Sequence, residues 1–160
     1  MQVQDVSVSD LDEVLALNEA SVPHVNSLTL RELQWFHGHA PYFRLIRHEG
    51  RIAGFLIGLG PGLDYASPNY RYFCARHEMF GYIDRVAVAP ESQRLGIASR
   101  LYEDYAATLR GFAPVLTCEV NLRPPNAGSL AYHESHGFVQ VASQETEGGS
   151  KEVALMEKRL

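Results

Sequence analysis

The segment from Tyr82 to Leu109 constrains the fold more than any other part of the chain. Tyr82 to Val88 is an apolar run typical of a buried strand, and Pro90 breaks it. After a short loop, apolar residues recur every four positions, at Ile97, Leu101, Tyr105 and Leu109. This spacing marks one face of a helix. The segment therefore predicts a strand, a loop and an amphipathic helix in succession, as in a layered protein whose helices cover a sheet.

The loop between this strand and this helix, Gln93 to Ser99, is suited to hold a phosphate. Backbone N–H groups at the start of a helix have no partner within the helix, and the helix dipole adds positive charge there. Gly96 permits a close backbone approach and an unusual φ, and Ala98 is small. We predict a phosphate or pyrophosphate site formed by the loop backbone. The alternative is an ordinary helix start with a loop glycine.

Two motifs of the chain resemble those of the GNAT superfamily of N-acetyltransferases. Gln93 to Ala98 matches the acetyl-CoA loop pattern Gln/Arg-x-x-Gly-x-Gly/Ala in the same strand–loop–helix setting. Asn126 to Phe138 resembles the later family motif, in which Asn, a small residue, an aromatic residue and Gly-Phe recur at fixed spacing. Residues 67–73 and 119–126 also resemble a bacterial subgroup of predicted acetyltransferases.

The resemblance implies a fold, a reaction and a cofactor. The fold is the α/β (α+β) GNAT fold, a central, mixed, mostly antiparallel sheet that is flanked by helices and splays between its fourth and fifth strands. The reaction is acetyl-CoA-dependent transfer of an acetyl group directly to a primary amine of a small molecule, peptide or protein. Coenzyme A is expected to contact Val86, Ala87, Val88, Gln93, Arg94, Leu95, Gly96, Ile97, Ala98, Ser99, Asn126, Ser129 and His133. A catalytically inactive CoA-binding or regulatory module is the alternative.

Three side chains are candidates for catalysis. Asp84 and Glu119 each interrupt an apolar strand, where a charge is costly unless it is paired or used. Each is therefore a structural or solvent-facing carboxylate, or the general base that takes the amine proton. The resemblance places a proton donor for the departing thiolate four residues before Gly137, where the family usually has Tyr and this chain has His133. Alternatively, His133 only packs, and the thiolate leaves unaided.

Composition excludes several other classes of protein. The 160 residues fit one domain, 1–160, and carry a net charge of −5, which argues against nucleic acid or an anionic membrane as a partner. No apolar stretch reaches the roughly 18–20 residues of a membrane span. Cys74 and Cys118 suit a reducing, cytoplasmic compartment, and Cys118 is expected in the core rather than as a nucleophile. His133 and His136 miss the spacing of a zinc motif, so no metal is predicted. A homodimer is left open.

Periodicity and turn residues predict the other elements. Strands are expected at 3–8, 42–48, 51–59, 114–121, 138–143 and 152–157. Helices are expected from Ser9 or Asp10 to before Pro23, from Leu30 to about Gly38 after a capping box, and from Asn126 to His136. Gly60 to His77 is predicted as a long irregular loop that helps to shape the acceptor pocket with Tyr65, Tyr70, Tyr72 and Phe73. The glycines at 54, 58, 60 and 62 fit turns and strand ends better than a dinucleotide fingerprint.

Overall fold

The computed structural model describes residues 1–160 and contains seven strands and five helices. The strands are β1 (Val3–Asp5), β2 (Tyr42–His48), β3 (Arg51–Leu59), β4 (Gly81–Val88), β5 (Val115–Arg123), β6 (Val139–Thr146) and β7 (Lys151–Arg159). The helices are α1 (Leu11–Ala20), α2 (Leu30–His39), α3 (Pro68–Arg76), α4 (Ile97–Leu109) and α5 (Ala127–Ser135).

The seven strands form one sheet in the order β1-β2-β3-β4-β5-β7-β6. The β1–β2, β2–β3, β5–β7 and β6–β7 pairs are antiparallel, whereas β4 and β5 are parallel. The predicted class, a mixed and mostly antiparallel sheet with flanking helices, is confirmed.

The chain divides into two compact units. The first comprises Met1–Leu59 and Asp84–Thr108, and the second comprises Gly60–Ile83 and Leu109–Leu160. The first three residues of β4, up to Ile83, therefore belong to the second unit, and its residues from Asp84 to Val88 belong to the first. The expectation of a single domain over 1–160 stays a prediction.

In the first unit, β2 and β3 form the hairpin that the sequence predicts, with the predicted bounds. Glu49 and Gly50 turn the chain with φ values of 52° and 77°. Positive φ at both central residues suits a two-residue hairpin, because its twist then matches that of the strands. Tyr42 lies opposite Gly58, and His48 opposite Arg51.

Helix α4 packs along β3 because two glycines of that strand leave room for it. A Cβ on Gly54 would stand 2.6 Å from Cγ2 of Ile97, and a Cβ on Gly58 would stand 2.4 Å from the ring of Tyr105. Four strand residues and eight helix residues span similar lengths, roughly 13 and 12 Å. The interpretation of Gly54 as a turn or strand-end glycine is therefore wrong, since it lies inside β3 and admits the first residue of α4.

The first two helices of this unit begin in different ways. Helix α2 has the predicted capping box: Thr29 Oγ1 accepts from the N–H of Glu32 at 3.1 Å, and Glu32 accepts from the N–H of Thr29 at 3.0 Å. The first strand, predicted to reach Val8, ends at Asp5. Residues 8–10 instead form a turn of 3₁₀ helix, with the backbone N–H of Ser7 donating to Asp10 Oδ2 at 2.9 Å.

In the second unit, the segment predicted as irregular contains α3. Ser67 caps the helix by accepting from the N–H of Tyr70 at 3.3 Å, and Pro68 occupies the first helical position. The ring of Tyr70 is buried, and its hydroxyl donates to the carbonyl of Gly60 at 2.6 Å. The prediction of a wholly irregular loop was therefore wrong over residues 68–76. Tyr70 and Phe73, expected to shape a pocket, are fully buried core residues.

The rest of the second unit follows the predicted order. Strand β5 pairs with β7, and Glu119 lies opposite Leu155. Asn126 caps α5, and Gly137, with φ of 90°, lies immediately after the helix cap, as predicted. Strands β6 and β7 form the closing hairpin across Gly148 and Gly149. No helix of the chain combines the length and the apolar character needed to cross a membrane.

Candidate active site

The loop that the sequence singles out enters α4 through two residues with left-handed backbone. Arg94 has φ of 69° and Gly96 has φ of 76°. The carbonyl of Gly96 accepts from the N–H of Arg100 at 3.0 Å, so the N–H groups of Ile97 and Ala98 precede the hydrogen bonds of the helix. Nothing lies within 4 Å of the position that a Cβ on Gly96 would take. The loop thus presents open backbone at the positive end of a 13-residue helix, an arrangement that can hold an anion.

Side chains on both sides of this loop fix it to the first unit. Ile97 is buried, whereas Gln93, Arg94 and Leu95 are exposed, and Ala98 and Ser99 are half-buried. Before the loop, Ala87 is buried, and Val86 and Val88 are half-buried. The N–H of Ala89 donates to the carbonyl of Ala53 on β3 at 2.8 Å. The predicted cofactor residues from Val86 to Ser99 therefore form one continuous strand–loop–helix segment.

Asp84 pairs with the next residue of its strand. Nε of Arg85 lies 2.8 Å from Oδ2 of Asp84, and the two side chains are only 7% and 4% exposed. Arg85 also donates to Oδ1 of Asn18 at 3.1 Å and to the carbonyl of Asn26 at 2.9 Å. Its guanidinium lies 5.5 Å from the centre of the Phe36 ring. Asp84 is thus part of a buried polar network that ties β4 to the end of α1 and the chain that follows, which matches the structural alternative.

Glu119 has a different environment, in the second unit. The hydroxyl of Tyr82 donates to Oε2 of Glu119 at 2.7 Å. Residue Glu119 is half-buried, so part of it remains accessible to solvent. Tyr82 lies opposite Thr117 in the parallel β4–β5 pair, and Glu119 is two residues further along β5, on the same face. The carboxylate therefore accepts a hydrogen bond from a neutral hydroxyl group of the neighbouring strand.

His133 is buried on α5, and its surroundings determine its protonation. Nδ1 lies 2.7 Å from the carbonyl oxygen of Ser129. Because a carbonyl only accepts, Nδ1 carries the proton, and in the neutral ring Nε2 is then the unprotonated nitrogen. Burial lowers the pKa of His133 below its ordinary value, although the hydrogen bond to Ser129 opposes this shift. Near neutral pH the ring is thus uncharged, and Nε2 has no proton to give to a thiolate.

The other predicted residues of the later motif build the start of the same helix. Oδ1 of Asn126 accepts from the N–H of Ser129 at 3.2 Å, and the N–H of Asn126 donates to the carbonyl of Asn121 at 3.2 Å. The structure thus brings Asn126, Ser129 and His133 together through the backbone of α5. Contact of any of them with coenzyme A stays a prediction.

Cys118 lies in the core of the second unit, as expected. It is 2% exposed, and burial raises the pKa of its thiol well above the ordinary value, with a smaller contribution from the charge of Glu119. A thiol in these surroundings stays protonated, so it is a poor nucleophile.

Sequence reasoning did not single out two residues that the structure places beside the candidate carboxylates. Tyr82 was assigned only to a strand, because its contact with Glu119 depends on the register between β4 and β5. Arg85 follows Asp84 directly, and this Asp-Arg pair within an apolar run is the sequence signal for the contact.

Comparison with known protein families gives one match. The model of the acetyltransferase (GNAT) family matches residues 11–138. A search of curated protein sequences finds no match.

Solved structures share the fold at low sequence identity. The ribosomal-protein-S18-alanine N-acetyltransferase from Escherichia coli has a TM-score of 0.74 and 18% identity, covering 99% of this chain and 92% of that one. Ard1 from Thermoplasma volcanium has a TM-score of 0.77 and 19% identity, covering 99% and 97%. Naa20 from Chaetomium thermophilum, in complex with a bisubstrate analogue, has a TM-score of 0.77 and 22% identity, covering 100% and 87%. At these identities the likeness shows the fold alone.

Proposed function

The chain belongs to the acetyltransferase (GNAT) family, and we propose that it transfers an acetyl group from acetyl-CoA directly to a primary amine. The observation that carries this proposal is the loop from Gln93 to Gly96, with its left-handed Gly96 and its place before α4. Acetyl-CoA supplies the acetyl group as a thioester. The loop backbone and the start of α4 would hold its pyrophosphate, and Val86 to Val88 would offer strand backbone to its pantetheine arm.

Glu119 is the proposed general base. An ammonium group has no lone pair for attack, so the enzyme removes a proton from the amine, directly or through water. The carboxylate of Glu119 accepts from a neutral hydroxyl and is partly accessible, whereas Asp84 is buried against Arg85. We therefore assign proton removal to Glu119 and a structural role to Asp84. With acetyl-CoA bound, a backbone N–H near Val88 would be the donor to the thioester oxygen, where negative charge would develop.

We assign no proton donation to His133. Its Nδ1 proton is used by the carbonyl of Ser129, and burial keeps the ring neutral. A thiolate is a competent leaving group because thiols ionise near pH 8.5. The role that we propose for His133 is packing, the second alternative from the sequence.

The acceptor that we propose to test first is the α-amine of a peptide. The Escherichia coli neighbour is named for an alanine of ribosomal protein S18. This name supports a protein or peptide acceptor and leaves small amines as the other candidate.

Substitution of Gly96 tests the cofactor assignment. Gly96→Val should weaken acetyl-CoA binding at least tenfold in calorimetry, because the new side chain fills the space open to the ligand and strains a left-handed backbone. Gly111→Val is the matched control, since Gly111 also has positive φ, 90°, and open space around its Cβ position. It should lose similar stability and keep wild-type affinity. Wild-type affinity in Gly96→Val would refute the assignment.

A further inference from the structure

Tyr82 joins the aromatic core of the second unit to the carboxylate of Glu119. Its ring is 1% exposed and lies 5.5 Å from the ring of Tyr70 and 6.1 Å from that of Phe73, measured between centroids. Its hydroxyl is 2.7 Å from Oε2 of Glu119. Because the ring is enclosed, the hydroxyl has a fixed position, and the carboxylate that accepts from it is fixed as well.

Several titratable groups of β5, β7 and α5 belong to the same unit as Glu119. On β7, Glu157 lies opposite Thr117, two residues before Glu119 on β5. Glu157 and Glu119 are therefore on the same face of the sheet, as diagonal neighbours. The carboxylate of Glu157 is held by Arg76 at 2.7 Å and His77 at 2.5 Å, both from the end of α3. From α5, the buried ring of His133 is neutral near pH 7, and next to Glu119 the thiol of Cys118 stays protonated. Tyr82 is therefore a donor whose removal changes the surroundings of Glu119 without removing a charge.

We propose that Tyr82 is a positioning residue, whose hydroxyl orients Glu119 and stabilises its ionised form for proton removal from the acceptor amine. The inference rests on the proposed function of Glu119 as the base. A hydrogen bond donated to a carboxylate favours the charged state, so the base remains ionised at lower pH than it would alone. Loss of the hydroxyl therefore moves the acidic limb of kcat/KM to higher pH.

Two Tyr→Phe variants separate this role from general packing. Tyr82→Phe removes the hydroxyl beside Glu119. Tyr70→Phe makes the same change in a neighbouring ring whose hydroxyl bonds the backbone of Gly60 and Leu63 instead. The carboxyl carbon of Glu119 is titrated by NMR in the ¹³C-glutamate-labelled protein, with Glu119→Gln identifying its signal. The profile of kcat/KM against pH is measured with acetyl-CoA and a peptide that has a free α-amine.

Tyr82→Phe should shift the NMR titration and the acidic limb together, by about one pH unit, which is a tenfold loss of kcat/KM below the limb. Tyr70→Phe should leave both at their wild-type positions. In the Glu119→Gln background, Tyr82→Phe should have no further effect on the profile.

Unshifted titration and an unshifted limb in Tyr82→Phe would overturn the role of Tyr82 while leaving Glu119 as the base. A uniform loss of activity without a shift would also overturn it, because packing alone would explain that loss. If Glu119→Gln keeps the wild-type acidic limb, the proposed base itself is wrong, whatever the NMR titration shows.

Discussion

The ring of His133 stands where the family motif usually has a tyrosine, and its hydrogen bond decides what it can do. Nδ1 donates to the carbonyl of Ser129, and the ring packs edge-on against Phe138, 5.3 Å between centroids. A tyrosine would present a hydroxyl that keeps its proton up to about pH 10. A buried neutral imidazole with its proton on Nδ1 presents an unprotonated nitrogen instead. The residue type at this position therefore changes the chemistry that the motif can supply.

Burial of His133 also makes stability depend on pH. Its pKa in the folded protein is lowered below 6.5, so the unfolded chain takes up this proton first as the solution is acidified. The contribution to stability is complete above pH 6.5 and is lost as pH falls toward the folded-state pKa. His133→Phe should remove this part of the slope in urea unfolding measured between pH 7 and pH 5, and should change kcat less than threefold.

His136→Phe is the control for that experiment, because it makes the same change one helical turn away, at a half-buried ring stacked on Tyr132. It should retain most of the slope, because burial is the largest cause of the lowered pKa of His133 and the charge of His136 is a smaller one. A loss of kcat of a hundredfold or more in His133→Phe, recovered in His133→Tyr, would restore the role of proton donor to this position.

At the scale of elements, the contact between β3 and α4 positions the loop from Gln93 to Gly96, the proposed binding site of the cofactor. Gly54 lies against Ile97, the first residue of α4, and the carbonyl of Ala87 on β4 is 2.9 Å from the position of a Cβ on Gly54. A side chain at position 54 would therefore be caught between the backbone of Ala87 and the side chain of Ile97. Because the strand backbone cannot yield easily, the start of α4 must move away from β3. The absence of a side chain at Gly54 thus determines the position of the backbone N–H groups at the start of α4.

Gly54→Ala should therefore weaken both the fold and cofactor binding. We expect a loss of about 1–3 kcal/mol in unfolding free energy, as for overpacking of a core, and a several-fold weaker affinity for acetyl-CoA by calorimetry. Gly38→Ala, within α2 and with open space around its Cβ position, should instead gain about 0.5–1 kcal/mol. Unchanged stability and affinity in Gly54→Ala would show that α4 does not depend on this contact.

Local sequence signals predicted some elements fully and others in part. The β2–β3 hairpin follows from Glu49-Gly50 between two apolar runs, and α2 follows from its capping box. Helix α3 was missed, although Ser67 and Pro68 are a helix start, because several aromatic residues and a preceding Pro-Gly pair favoured a loop. Its burial comes from packing of Tyr70 and Phe73 against Phe80, which no local pattern shows.

The candidate site was predictable to the extent that it is continuous in sequence. The loop before α4 is one segment, so its pattern identified it. The partner of Glu119 lies on another strand, and the contact of Asp84 with the adjacent Arg85 depends on the directions of the two side chains. The sequence therefore left a structural and a catalytic role open for both carboxylates. The contacts of Arg85 with Asp84 and of Tyr82 with Glu119 are the observations on which we propose different roles for the two carboxylates.

At the scale of the whole molecule, we propose that the acetyl group is transferred without a covalent enzyme intermediate. Cys118 is buried and protonated, and the exposed Cys74 lies on α3, distant in sequence from the cofactor motifs. These surroundings of the two thiols support the proposal that amine and acetyl-CoA are bound together when the acetyl group moves. An inactive CoA-binding module would bind acetyl-CoA equally well and transfer nothing.

Initial-rate kinetics of CoA release from acetyl-CoA, with a peptide α-amine as the varied acceptor, test this claim most directly. The account predicts amine-dependent release, intersecting lines in double-reciprocal plots, an N-acetylated peptide by mass spectrometry, and wild-type kinetics in Cys118→Ala. Parallel lines with an acetylated Cys118 would contradict direct transfer. Tight binding of acetyl-CoA without amine-dependent release, for peptides and small amines alike, would contradict the assignment as an acetyltransferase acting on amines.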